Sequence, residues 1–170
     1  YEIGVRLVGS EMCIRDSSVK FRTDVASMCK LGFDIGLKDM TADELAYCQD
    51  AVANWKRLQP AIMDGDQYRL VSPYETNHMA VNYVSKDQKK AVLFAYDVYP
   101  RFQEKLINVK LQGLDPNKTY KVEEINLMPG VDSALKSNGQ TYTGDYLMKV
   151  GIEVFGFAAT QSHVLELTAM

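Results

Sequence analysis

The chain has 170 residues, 46% hydrophobic and 24% charged, enough to bury one core or one core and part of another. Its formal net charge is −3 and its Lys and Arg are scattered, which excludes the basic footprint of a nucleic-acid binder. No apolar run reaches the roughly 18 residues of a membrane-spanning helix, so no membrane partner is expected.

The first stretch, Tyr1 to Ser17, has neither helical nor strand period, begins without Met, and lacks the sections of a signal peptide. Its string VRLVGSEMCIRDS resembles a sequencing-library adapter translated in frame. Residues 1–17 are therefore expected to be an artefactual, disordered leader, with a native N-terminal part missing and the compartment unreadable. From Ser18 to Lys30, Phe21, Val25 and Met28 recur at helical spacing, and Gly32 stands where a C-cap is expected. Thr41-Ala42-Asp43-Glu44 reads as a capping box that opens a second helix. That helix has Leu45, Cys48, Val52, Trp55 and Leu58 on one stripe, and Pro60 is expected to end or kink it. Two adjacent helices do not make a domain. Their apolar faces call for a partner outside the chain, and bare Phe21, Val25 and Leu45 should make it self-associate, as a homo-oligomer would.

The period changes at Asp64-Gly65-Asp66. Tyr68–Val71, Met79–Ser85 and Ala91–Tyr96 read as strands, the last buried on both sides. Ile107, Val109 and Leu111 alternate with Asn108 and Lys110, a Gly113-Leu114-Asp115-Pro116-Asn117 turn follows, and Thr119–Ile125 resumes the alternation. That pattern predicts a β-hairpin. Gly144–Met148 suggests a helical turn, and Val154–Phe157 and Val164–Leu167 close the series. Short strands separated by turn signals predict an antiparallel sandwich rather than βαβ units.

Residues that invite chemistry have plainer readings. Glu123 and Glu124 are adjacent on a strand and so face opposite ways; they cannot act as a pair on one bond and are read as surface charge. Asp64-Gly65-Asp66 lacks the further ligands of a calcium loop and reads as a polar turn. His78 and His163 have no partner at ligand spacing and read as surface or hydrogen-bonded histidines. Cys13, Cys29 and Cys48 have no CxxC spacing and no nearby His, so buried free thiols are expected. Trp55 belongs to its helix's apolar stripe, and Tyr68, Tyr74, Tyr83, Tyr96, Tyr99 and Tyr120 pack in or near strands rather than forming a stacking platform for a ligand. Asn117-Lys118-Thr119 matches a glycosylation sequon too short to weigh. The sequence nominates no catalytic, cofactor-binding or metal-ligating residue.

Four stretches together resemble the C-terminal part of family 36 glycoside hydrolases, the α-galactosidase group. They are Phe21–Ala26 through Lys30–Ile35, Pro60 through Gly65–Leu70 with Ser72-Pro73-Tyr74, Leu111–Pro116 with Tyr120 and Val122, and Tyr142–Met148 to Gly151-Ile152. The resemblance implies a mainly β chain with a helical N-terminal part. Residues 18–65 would be the last helices of a (β/α)₈ barrel plus a linking helix, and 66–170 an antiparallel C-terminal β-sandwich. It also implies a retaining hydrolase of terminal α-galactosyl groups without metal or cofactor, working through two aspartates about 5–5.5 Å apart. Those aspartates would lie upstream of Phe21, in the missing catalytic barrel, which is then this chain's partner. The α-galactoside would be a substrate of the full-length parent alone. The alternative is a free-standing carbohydrate-binding or structural β-sandwich.

Overall fold

The structure, a computed structural model, describes residues 17–33, 38, 40–101 and 106–170. The leader expectation, together with Cys13 and the Asp34–Leu37 segment, lies outside these residues except at Ser17.

Helix α1 (Val19–Ser27) starts from Ser18, whose hydroxyl accepts the Phe21 N–H at 3.1 Å. It ends at Ser27 with Met28 as its cap, short of the position Gly32 suggests. Helix α2 (Ala42–Met63) opens on the expected capping box. Thr41 Oγ1 accepts the Glu44 N–H at 3.2 Å and Glu44 Oε2 accepts the Thr41 N–H at 2.9 Å. Pro60 does not end α2. It sits in the last turn, where its carbonyl still accepts the Asp64 N–H.

Strands β1 (Asp66–Val71), β2 (His78–Val84), β3 (Lys90–Asp97), β4 (Thr119–Ile125), β5 (Thr141–Thr143) and β6 (Gln161–Ala169) follow, with helix α3 (Gly144–Lys149) between β5 and β6. They form one six-stranded antiparallel sheet in the order β1-β2-β3-β6-β4-β5. The chain thus closes its sheet by inserting β6 between β3 and β4.

The expected hairpin is not formed. Strand β4 pairs with β5 and β6, while 106–112 crosses over the sheet instead. Its alternation holds only in part: Val109 and Leu111 are buried and Asn108 and Lys110 exposed, but Ile107 is exposed too. Its backbone bonds, however, go to Ile152 and Leu147. Period two reports which side chains are covered, not which strand supplies the ladder. Val154 and Phe155 likewise add burial rather than a strand, and Phe157 is exposed. Among the described residues the second sheet of the expected sandwich is reduced to this layer, tied by the single Val109–Ile152 bridge.

Both faces of the sheet are covered. On one, Leu93, Val122, Leu165 and Leu167 pack beneath Val109, Leu111, Leu114, Leu147, Ile152, Val154 and Phe155. On the other, Val81, Val92, Phe94, Tyr96 and Val164 pack against Leu58, Ala61 and Ile62 of α2, with Phe21, Val25, Met28 and Trp55 half-buried around them. The partner of the two helices is therefore this chain's own sheet, contrary to the sequence expectation. Phe21 and Val25 are not bare. The α2 stripe is also rotated, with Tyr47 and Ala51 buried and Leu45 exposed.

Candidate functional site

The antiparallel register gathers four titratable side chains at one end of the sheet. His78 opens β2, Asp97 closes β3, His163 lies near the start of β6 and Glu124 near the end of β4. His78 stands directly across from Asp97, and His163 across from Ala95, two residues before Asp97. Each histidine meets a carboxylate: His78 Nδ1 lies 2.6 Å from Asp97 Oδ1, and His163 Nδ1 2.6 Å from Glu124 Oε1. Each carboxylate then holds a loop with its second oxygen. Asp97 Oδ2 accepts the Gly156 N–H at 2.8 Å, and Glu124 Oε2 accepts the Ser133 hydroxyl.

The two pairs differ electrostatically. Burial pushes the Asp97 carboxyl above its ordinary value, against the lowering bonds from Gly156 and His78. Burial also raises Glu124, but the bonds from His163 and Ser133 outweigh it and hold the carboxyl low. His78 is 1% exposed, stacks on Phe155 with ring centroids 4.5 Å apart, and its Nε2 is buried without a partner. A His–carboxylate pair can orient an imidazole as a base. That role also needs a hydroxyl, thiol or water within reach of the second nitrogen, and the His78 Nε2 is buried without a partner. What the arrangement does is fasten the loops before β6 and after β4 to the sheet.

A second polar cluster lies on the helix-covered face. Asp24 of α1 is fully buried, and its Oδ2 accepts Lys20 Nζ and Ser162 Oγ, each at 2.6 Å. Its Oδ1 accepts the Tyr47 hydroxyl at 3.0 Å and Asn126 Nδ2 at 2.9 Å. The Tyr96 hydroxyl donates to the Asp24 carbonyl at 2.8 Å. One carboxylate so joins α1, α2, β6 and the residue after β4. Burial, with Asp24 alongside, pushes the Tyr47 and Tyr96 hydroxyls well up, so both stay neutral donors.

Glu123 and Glu124 do face opposite ways, but Glu124 is buried rather than surface charge, and Glu123 pairs with Lys121. Asp64 caps α2 and exposed Asp66 pairs with Lys86, a polar turn. Cys48 is buried, whereas Cys29 is exposed, against expectation. Trp55 is half-buried on the helix-side core, its Nε1 donating to the Cys29 carbonyl. Tyr83, Tyr96 and Tyr120 are core, so they form no sugar platform; Tyr74 and Tyr99 are exposed. Asn117 is exposed on its turn. The sequence nominates neither Asp97 nor Asp24. A carboxylate closing the apolar run of β3, and another four residues after Lys20 on a helix, are the signals that would have found them. Among the described residues no group of three or more His, Cys, Asp or Glu is arranged to hold a metal ion. No described helix is long and apolar enough to cross a membrane.

Sheet and helices together define a helix-covered antiparallel β domain. Residues 78–167 match the glycosyl hydrolase family 36 C-terminal domain. The chain belongs to that family, as the four sequence stretches suggest. It is 34% identical over 140 residues to a probable alpha-galactosidase C of Aspergillus flavus, which covers 82% of this chain and 17% of that protein. It is 29% identical over 138 residues to alpha-galactosidase AgaA of Geobacillus stearothermophilus, covering 81% of this chain and 17% of the relative. The crystal structure of alpha-galactosidase AgaB from the same organism superposes with a TM-score of 0.76 at 28% identity, covering 91% of this chain and 20% of that one. A doubly substituted variant of AgaA has been solved in complex with raffinose. The chain thus spans no more than about a fifth of the length of these relatives.

Proposed function

We propose that this chain is the C-terminal part of an α-galactosidase, a retaining hydrolase of terminal α-galactosyl groups on oligosaccharides such as raffinose. The match of residues 78–167 to the family's C-terminal domain carries this reading, together with the small share of each α-galactosidase that the chain spans. In this reading residues 18–65 close and leave the catalytic barrel, and 66–170 form the domain beside it. The chemistry belongs to two aspartates on the barrel, upstream of Phe21. The carboxylates seen here fit that division, since Asp97, Glu124 and Asp24 are each consumed by internal partners. The purified chain should release no galactose from raffinose and no nitrophenol from a nitrophenyl α-galactoside. Turnover by the pure chain would overturn the assignment of the chemistry to another segment. Sequencing the source DNA upstream of the Ser18 codon tests the rest: a hydrolase frame with strand-end aspartates is expected, and a start signal directly before Tyr1 would refute it.

A further inference from the structure

Strand β5 pairs only with Thr119, Tyr120 and Lys121 of β4. The rest of that β4 edge is covered by the turn that precedes β5. The Val122 N–H donates to the Gln140 carbonyl at 2.9 Å, and the Gly139 N–H to the Val122 carbonyl at 2.8 Å. Further along, the Glu124 N–H donates to Asn138 Oδ1 at 2.8 Å, so a side chain stands in for the missing ladder partner. Asn138 and Gly139 are adjacent in sequence, and of the seven asparagines in the chain only Asn138 precedes a glycine.

An Asn-Gly pair carries its own reaction. The glycine nitrogen gives up its proton and attacks the asparagine Cγ; the Cγ–Nδ2 bond breaks, ammonia leaves, and a five-membered cyclic imide remains. Water then opens the imide at either carbonyl, yielding aspartate or isoaspartate. Glycine favours the attack because no Cβ crowds its nitrogen. Here the fold opposes each part of it. The attacking N–H is held by the Val122 carbonyl, and the carboxamide is held by the Glu124 N–H. The turn adds a third obstacle. The Gln140 N–H donates to the Ser137 carbonyl at 3.2 Å, Gly139 has φ +73°, and Asn138 has no positive φ. Those features define a type II turn, in which Asn138 takes a ψ of about +120°. That ψ turns the Gly139 nitrogen away from the Asn138 side chain, whereas ring closure needs the nitrogen and Cβ on the same side of the Cα–C bond.

We infer that Asn138 is a deamidation site that the fold keeps shut, converting only when the segment 138–140 opens away from β4. Isoaspartate places an extra methylene in the backbone, so the bonds to Val122 cannot re-form in register and each opening that reacts is recorded permanently. The test incubates the purified chain at mildly alkaline pH, once folded and once unfolded in guanidinium, and follows Asn138 by peptide mass mapping. Conversion should be at least about tenfold slower in the folded chain, because it waits on local opening. Equal or faster conversion in the folded chain would overturn the inference and show that the Glu124 N–H activates the carbonyl instead of clamping it. No conversion in the unfolded chain would remove the site itself. Hydrogen exchange at the Gly139 amide of the folded sample supplies a readout independent of the chemistry: protection is expected, and free exchange would overturn the lock.

Discussion

Asp24 is the residue on which most separate elements depend. Four side-chain donors converge on a fully buried carboxylate, so removing it takes an acceptor from a part-buried ammonium, two hydroxyls and an amide at once. Asp24→Ala should cost about 3–5 kcal/mol in urea denaturation, the usual loss when a buried charged group loses its partner. Asp24→Asn, which keeps the shape, should cost less. Glu124 gives the molecule an acid limb. Its folded carboxyl is held below the ordinary 4.5, so its stabilisation is present above that pH and lost as pH falls through the depressed value. Asp97 has the opposite sign: its raised carboxyl contributes most below 3.8 and loses that contribution as pH rises through the raised value. Melting temperatures below pH 4.5 should therefore fall more steeply in the native protein than in Glu124→Gln. Parallel acid limbs would show that the His163–Glu124 pair is not the group responsible.

At the scale of elements, Gly151 is the most demanding position. Its φ is +78°, and an added Cβ would strike the Val109 carbonyl, which accepts the Ile152 N–H at 3.1 Å in the bridge that ties the covering layer. Gly151→Ala should cost at least about 2 kcal/mol, from the left-handed backbone and the displaced bridge, measurable by thermal unfolding. Sequence period identifies β2, β3 and β4, and the Thr41 box identifies the start of α2, because these signals are local. It cannot identify β5, whose three residues Thr141-Tyr142-Thr143 are too few to show a period. It misplaces Val109 and Leu111 for a different reason: alternation is the same whether a strand lies in a sheet or across it. The two His–carboxylate pairs were illegible because 19 residues separate His78 from Asp97 and 39 separate Glu124 from His163. Only the antiparallel register brings them together.

For the whole molecule, the helices are a structural layer and not an appendage. Without residues 1–65 the sheet would present Val81, Val92, Phe94, Tyr96 and Val164 to water as one contiguous apolar face. The 66–170 segment alone should therefore associate, seen as early elution or strong light scattering. A monodisperse monomer would show that the sheet stands without its helices. Trp55 reports on the same layer, since its ring packs on the helix-side core.

Strand β6 is the last strand of the sequence, yet it lies inside the sheet, joining β1-β2-β3 to β4-β5. During synthesis the two half-sheets therefore wait, each with an unpaired edge, until residues 161–169 clear the ribosome. A chain stopped before Gln161 would keep both edges open, a state that chaperones and proteases recognise and that invites edge-to-edge aggregation. Once β6 is made, both of these edges are hidden in a single insertion, so the topology itself distinguishes a chain that has reached Ala169 from one that stops before Gln161.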